Sequence, residues 1–146
     1  MTTTSRGIGL AALLTAVAVL GGCGSSGPSK ADFVKKADAV CTATNKAHPP
    51  KPETAKNLAD EIVIRTQLDS KLKALKVPDS EKSAFASYNA GTQRIIAALR
   101  TIRTDLAANN KKQAAAASQQ FGAASISREQ SAIKLGFKTC GRRHPQ

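Results

Sequence analysis

Between Val77-Pro78 and Asn109-Asn110 lies the pattern that most restricts this chain. Phe85, Tyr88, Thr92, Ile95, Leu99, Ile102 and Leu106 follow one another at alternating spacings of three and four. A strict repeat of about 3.5 residues keeps one apolar seam turned toward neighbouring helices in left-handed, bundle-like packing. Asp79 or Ser80 is placed to cap this helix, and Asn109-Asn110 marks the turn that closes it. A long seam of this kind needs partner helices to bury it.

Three further amphipathic stretches supply the partners. Ser29, with Asp32 three residues on, reads as a helix start of the capping-box type with Asp in place of Glu or Gln. From there Phe33, Ala37, Val40, Thr44 and Ala47 form one helical stripe, with Val34 and Cys41 on its flank. The run His48-Pro49-Pro50-Lys51-Pro52 ends it, because proline cannot continue a helix. A second helix is expected from about Glu53 to Lys76, with Leu58, Ile62, Ile64, Leu68, Leu72 and Leu75 as its apolar residues. Glu61 and Arg65 interrupt its seam, at a four-residue spacing that lets them pair. Lys71, Lys73 and Lys76 crowd its last turn, where the helix dipole favours cations.

The last stretch, about Lys111 to Leu135, is rich in Ala, Ser and Gln. Its larger apolar groups are Phe121, Ile126, Ile133 and Leu135, which do not define one face. Gly136 is placed as a left-handed helix stop, and Phe137 beyond it can fold back on the last turn. The expected fold class is all-α, an up-down four-helix bundle spanning 30–141 and followed by a basic tail, 142–146. With 146 residues, 41% of them hydrophobic, the chain suits one domain with a real core.

The chain opens as an address. Arg6 precedes the apolar run Ile8 to Leu20 (IGLAALLTAVAVL), too short to span a bilayer as a helix. Leu20-Gly21-Gly22-Cys23 then resembles the lipobox of bacterial lipoproteins: an aliphatic residue, two small ones, and the cysteine that becomes the new amino terminus. Ala16-Val17-Ala18 also fits a cleavage site but sits inside the apolar run, and ranks second. The resemblance implies a signal peptide over 1–22 and a thioether-linked diacylglyceryl group on Cys23. Two acyl chains hold a protein stably where one is marginal. A flexible tether, 23–29, follows. The expected location is the outer face of the cytoplasmic membrane, after export.

Acylation of Cys23 leaves Cys41 and Cys140 as a pair. Outside the cytoplasm such a pair in a small domain usually forms a disulfide; the rival is a redox-active or metal-binding thiol, disfavoured because no C-x-x-C is present. In an up-down bundle the ends of the first and last helices can lie at opposite poles. Bridging the two cysteines then requires the segment after Gly136 to fold back, or the first helix to dock in another orientation.

Phe33 to Cys41 (FVKKADAVC), the Leu-rich helix ending at Val77-Pro78, and Leu135-Gly136-Phe137-Lys138-Thr139-Cys140-Gly141 resemble a group of small actinobacterial exported proteins. That group shares an early F-x-x-x-A-D-x-x-C helix and a late G-[LF]-x-x-C-G ending. The resemblance implies a helical fold and supports the disulfide; it implies no activity.

Residues that carry chemistry are scarce. Two His, three Cys and no clustered carboxylates leave little for a metal site, and no metal or other cofactor is expected. His48 and His144 follow the two paired cysteines and can meet at one pole, but each adjoins a proline, where an idle imidazole is common. Glu-x-x-His, G-x-S-x-G, H-E-x-x-H, the P-loop and G-x-G-x-x-G do not occur, and no catalytic residue is assigned. Asp60-Glu61 and Asp79/Glu81 read as solvated or dipole-favoured acids. One Tyr, four Phe and no Trp cannot build a stacking surface for single-stranded nucleic acid, and export removes that partner.

The remaining signal is charge, a net +12. Lys35-Lys36, Lys71/Lys73/Lys76, Arg94/Arg100/Arg103, Lys111-Lys112 and Arg142-Arg143 are spread along the chain, as solvated faces are. On a tethered domain they also attract anionic lipid or cell-wall polymer. The expected function is a non-catalytic, lipid-anchored interaction module of the cell envelope, with the membrane, such polymers or an envelope protein as partner. The alternative is a carrier holding a small apolar or anionic ligand between the second and fourth helices, where alanines leave room.

Overall fold

The computed structural model describes residues 27–49, 51 and 54–141; the expected signal peptide, Cys23 and the expected basic tail 142–146 lie outside the described residues. The described chain is all-α. It comprises α1 (Lys30–Ala47), α2 (Ala55–Lys73), a single 3-10 turn (Asp79–Glu81), α3 (Lys82–Ala107) and α4 (Lys111–Leu135), arranged as a four-helix bundle.

Local chemistry explains most boundaries. The Ser29 hydroxyl accepts the Asp32 N–H at 3.1 Å and starts α1. Thr54 does the same for α2, accepting the Asn57 N–H at 3.2 Å. That helix is shorter at both ends than the Glu53–Lys76 expected. It begins behind the Thr54 cap, and it closes in a tight turn where the Leu75 N–H reaches the Leu72 carbonyl at 3.1 Å. The start of α3 also differs from expectation. Neither Asp79 nor Ser80 caps it; Pro78 initiates the 3-10 turn, and Asp79 instead pairs with Lys82 at 2.7 Å. Asn109 makes the α3–α4 turn with φ 60°, a conformation asparagine tolerates.

The α3 seam is buried as its spacing predicts from Phe85 to Ile102, while Leu106 projects beyond the core and is 40% exposed. On α4 the size signal misleads. Ile126 and Ile133 are 50% and 63% exposed, and the buried side consists of Ala114, Ala117, Ala124, Ser131, Ala132 and Leu135. Small residues are needed there because α3 and α4 lie close together. A Cβ added to Gly91 of α3 would stand 2.9 Å from the Cβ of Arg128 on α4.

Two apolar cores stack along the bundle. One gathers Phe33, Ala37, Cys41, Leu72, Phe85, Tyr88, Ala132, Leu135, Phe137 and Cys140. The other gathers Leu58, Ile62, Ile95, Ile96, Leu99, Ile102, Ala117 and Ala124, with Phe121 against it. Four of the five aromatic residues meet in the first: Phe33 lies 5.3 Å from Phe85 and 5.6 Å from Phe137, and Tyr88 lies 5.5 Å from Phe137 (ring centroids). Edge-on and tilted pairs of this kind add about 0.5–1.5 kcal/mol each beyond area burial. The two cores are joined by a polar layer containing Arg65 and Asp69 of α2, Thr92 of α3 and Arg128 of α4.

The route to Cys41 is the fold-back. Gly136 adopts φ 85°, and the Gly136 and Phe137 N–H groups return to the carbonyls of Ile133 and Ala132. Phe137 is thereby turned into the core. The chain then runs along α1 until Cys140 meets Cys41 in a disulfide with Cα atoms 5.4 Å apart. Because that segment lies against α1, the buried face of α1 is centred on Phe33, Ala37 and Cys41. The expected stripe through Val40, Thr44 and Ala47 is half-buried or exposed.

Candidate functional site

Asp38 is densely hydrogen-bonded. Its carboxylate accepts three consecutive backbone N–H groups from the returning segment: Lys138 at 2.9 and 3.1 Å, Thr139 at 2.8 Å and Cys140 at 3.2 Å. Converging N–H groups of this kind form an anion-binding concavity, and here α1 supplies the anion. Beside it Thr42 and Thr139 meet at 3.4 Å, and the Cys41–Cys140 bond is buried. Lys30 at the head of α1 reaches the Lys134 carbonyl at 3.3 Å and Glu81 at 3.1 Å, which binds α1 to the end of α4 and the start of α3.

Every motif residue at both chain ends has a place in this clasp. Phe33 fills the aromatic cluster, and Ala37 is fully buried, lacking bulk where Cys140 approaches. Asp38 binds the N–H groups, and Cys41 makes the covalent bond. On the other side Gly136 turns the chain, Phe137 anchors it and Cys140 is bonded. Gly141, at φ 85°, passes so close to α4 that an added Cβ would stand 2.9 Å from that of Ala132. The role of Asp38 was not legible beforehand, since a lone Asp inside a helix reads as a solvated acid.

The polar layer is a second feature that sequence reasoning saw only in part. Glu61 and Arg65 pair as their spacing suggests, and the Arg65 guanidinium lies 6.0 Å from the centre of the Phe121 ring. Asp69 is buried, accepting from Lys73 at 2.6 Å and from Gln93 of α3 at 2.8 Å. Leu58, Ile62, Arg65, Asp69 and Leu72 alternate spacings of four and three, so the seam of α2 runs through both charges. Counting charged residues into the heptad would have found them. Arg128 lies 5.5 Å from the Tyr88 ring centre, a cation–π arrangement. Burial pushes the Tyr88 phenol above its ordinary value and the Arg128 guanidinium below its own.

The other candidates are dispersed. His48 is exposed at the end of α1, where its backbone N–H donates to the Thr44 carbonyl; His144 lies outside the described residues. Among the described residues no group of three or more His, Cys, Asp or Glu is placed to hold a metal ion. Asp60 is exposed, and Asp79, held below the ordinary carboxylate range by its hydrogen bond to Lys82, is a surface ion pair. Lys35, Lys36, Lys71, Lys73, Arg94, Arg100, Arg103, Lys111 and Lys112 are all exposed and distributed over four helices, and Lys76, expected in the last turn of α2, is exposed in the connection beyond it. Among the described residues no helix is long and apolar enough to cross a membrane.

Surface depressions among the described residues include two between neighbouring helices. One of about 100 Å³ lies between α1 and α2, lined by Thr44, His48, Ile64, Leu68 and Lys71. The other, about 430 Å³, lies between α3 and α4, lined by Arg94, Ala97, Thr101, Gln120 and Ala123. Neither is in the α2–α4 seam, where Arg65 covers Phe121. Comparison with protein-family models, curated proteins and solved structures finds no match to this chain.

Proposed function

We propose that the chain is a non-catalytic, lipid-anchored module on the outer face of the cytoplasmic membrane, tethered through Cys23 and acting by binding other components of the envelope. The observation that carries this reading is the division of labour among its cysteines. Cys41 and Cys140 are buried together as a staple, which leaves Cys23, in its Leu20-Gly21-Gly22-Cys23 context, as the one thiol outside that pair. A buried disulfide suits an oxidising, exported setting.

The absence of an assigned reaction follows from how the chemistry-bearing residues are used. Asp38, Cys41 and Cys140 hold the chain together, Asp69 binds Lys73 and Gln93, and Glu81 binds Lys30. The exposed cations on all four helices supply salt-sensitive attraction to anionic lipid and wall polymer, and keep a tethered domain solvated. Substituting Cys23→Ala tests the anchor: the protein should leave the membrane fraction, and unchanged fractionation would contradict the proposal. In-cell crosslinking then separates the classes of partner. A single dominant protein makes the module an adaptor, and attachment to lipid or polymer that disappears at high salt makes it a basic envelope component.

A further inference from the structure

The side of α4 turned away from the core is not the charged, solvated face that a surface helix usually presents. From Gln113 to Ser127 the helix carries no charged residue, in a chain whose net charge is +12. Ile126 and Ile133, one heptad apart on that outer side, are at least half exposed. Next to it runs the groove of about 430 Å³ between α3 and α4, lined by Ala97, Ala98, Ala123 and Ala124, with Arg94 at its edge. Ile126 stands three residues past Ala123, about 60° round the helix from that lining. One surface thus carries an apolar knob and an apolar slot side by side. Both are required of a two-fold interface between identical chains, where each copy offers the same patch.

Charge favours a second copy as the occupant. Two strongly basic chains repel across their lysine-bearing faces and can approach closely only where neither presents a cation. The groups at the edge of the face are complementary as well. Arg94 and Glu129, the single acid of α4, make no hydrogen bond or ion pair among the described residues. Gly91 of α3 lies against Arg128, so Arg94, three residues further along α3, sits about one turn from the level of Glu129. When two α4 helices run side by side in one direction, the knob side of each faces the slot side of the other. Arg94 of each copy then comes within side-chain reach of Glu129 of the other. Opposite directions would set knob against knob.

We propose that the outer face of α4 and the α3–α4 groove form a parallel, two-fold interface between two membrane-tethered copies of this chain. A face one helix long, about 37 Å by about 10 Å, buries roughly 750 Å² in total, short of the about 1,200 Å² at which stable soluble complexes begin. The pair is therefore weak in free solution. Tethering to one membrane points both bundles the same way and raises their effective concentration. The direction and strength of pairing rest on the anchor at Cys23; the face itself does not.

The test adds one thiol at a time to the full chain in phosphatidylcholine vesicles, as Ala116→Cys or Gln130→Cys. Both positions are exposed and lie two heptads apart along the face. Mild oxidation should link each variant to itself, because a parallel pair sets like positions together; Lys36→Cys, on the exposed side of α1, should link about tenfold less or lower. Ile126→Glu, at a half-exposed position, should abolish linking while leaving the melting midpoint nearly unchanged. Arg94→Glu and Glu129→Lys should each weaken linking, and the two together should restore it. Peptide mapping separates the two readings: a link through Cys23 marks failure of the anchor, and linking in concentrated solution that still depends on Ile126 keeps the interface. Linking at 116 and 130 no greater than at 36 in vesicles and in concentrated solution, or no recovery in the charge-reversed pair, would overturn the proposal.

Discussion

Replacing Asp38 by alanine should be among the most damaging changes available at a partly exposed position. It removes the acceptor for three backbone N–H groups at once, and their fates differ with burial. Lys138 is exposed, so water replaces the lost bond at little cost; Thr139 is half-buried, and Cys140 is 1% exposed. Losing a hydrogen bond to a charged group costs about 1.5–3 kcal/mol where the orphaned partner stays dry. Counting Cys140 in full and Thr139 in part gives roughly 3 kcal/mol. At this chain length each kcal/mol moves the melting midpoint by about 4 °C, so the expected shift is roughly 12 °C. Asp38→Asn keeps an acceptor oxygen but not the charge, and should lose about half as much. Urea unfolding followed by far-ultraviolet circular dichroism measures both variants. Amide exchange at Thr139 and Cys140 should accelerate with them. A loss below about 0.5 kcal/mol, the range of ordinary surface substitutions, would show that the disulfide alone holds the segment and that the carboxylate cradle contributes nothing.

The two glycines at φ 85° should respond unequally to alanine. Gly136→Ala meets no atom closer than 3.9 Å and carries only the left-handed strain, about 1 kcal/mol; Gly141→Ala adds a 2.9 Å collision with Ala132 and should cost about 2 kcal/mol or more, so the reverse order in urea unfolding would contradict the packing. Tyr88 is the only tyrosine, and no tryptophan obscures its absorbance. Its phenol is raised by burial, so the folded state holds the proton more tightly than the unfolded state. Stability is therefore complete below the ordinary tyrosine pKa of about 10 and falls as pH rises through the folded value. Tyrosinate absorbance should appear together with loss of helical dichroism, and its appearance near pH 10 with the helices intact would count against the buried ring. Reduction of Cys41–Cys140, which closes a separation of 99 residues, should lower the unfolding free energy read from urea titration by up to about 4.7 kcal/mol on the chain-entropy model; an unchanged midpoint would mean that the cross-link constrains nothing.

Local signals were legible wherever the chain itself decides the outcome. The bounds of α4, the stop at Gly136, the turn at Asn109-Asn110 and the α3 seam follow from capping, left-handed turns and a 3.5-residue period, all contained within a few neighbouring residues. Features set by distant segments were not. The buried face of α1 is turned toward Cys41 because a segment about a hundred residues later lies against it. Ile126 and Ile133 look like core residues by size, yet the close approach of α3 through Gly91 puts alanines inside and leaves the isoleucines out. Glu81 is buried because Lys30 of α1 reaches it, which its place in a first turn does not reveal. Asp38 shows the same limit at the candidate site: it is one charged residue in a helix, and its meaning comes from three N–H groups about a hundred residues later.

The most direct test is the state of the three cysteines in protein extracted from membranes without reductant. Peptide mapping by mass spectrometry should recover the Cys41 and Cys140 peptides joined to each other, with Cys23 as an amino-terminal residue carrying a diacylglyceryl group. An unmodified Cys23 would contradict the proposed anchor, and Cys23 joined to either of the others would contradict the clasp as the permanent frame of the bundle as well.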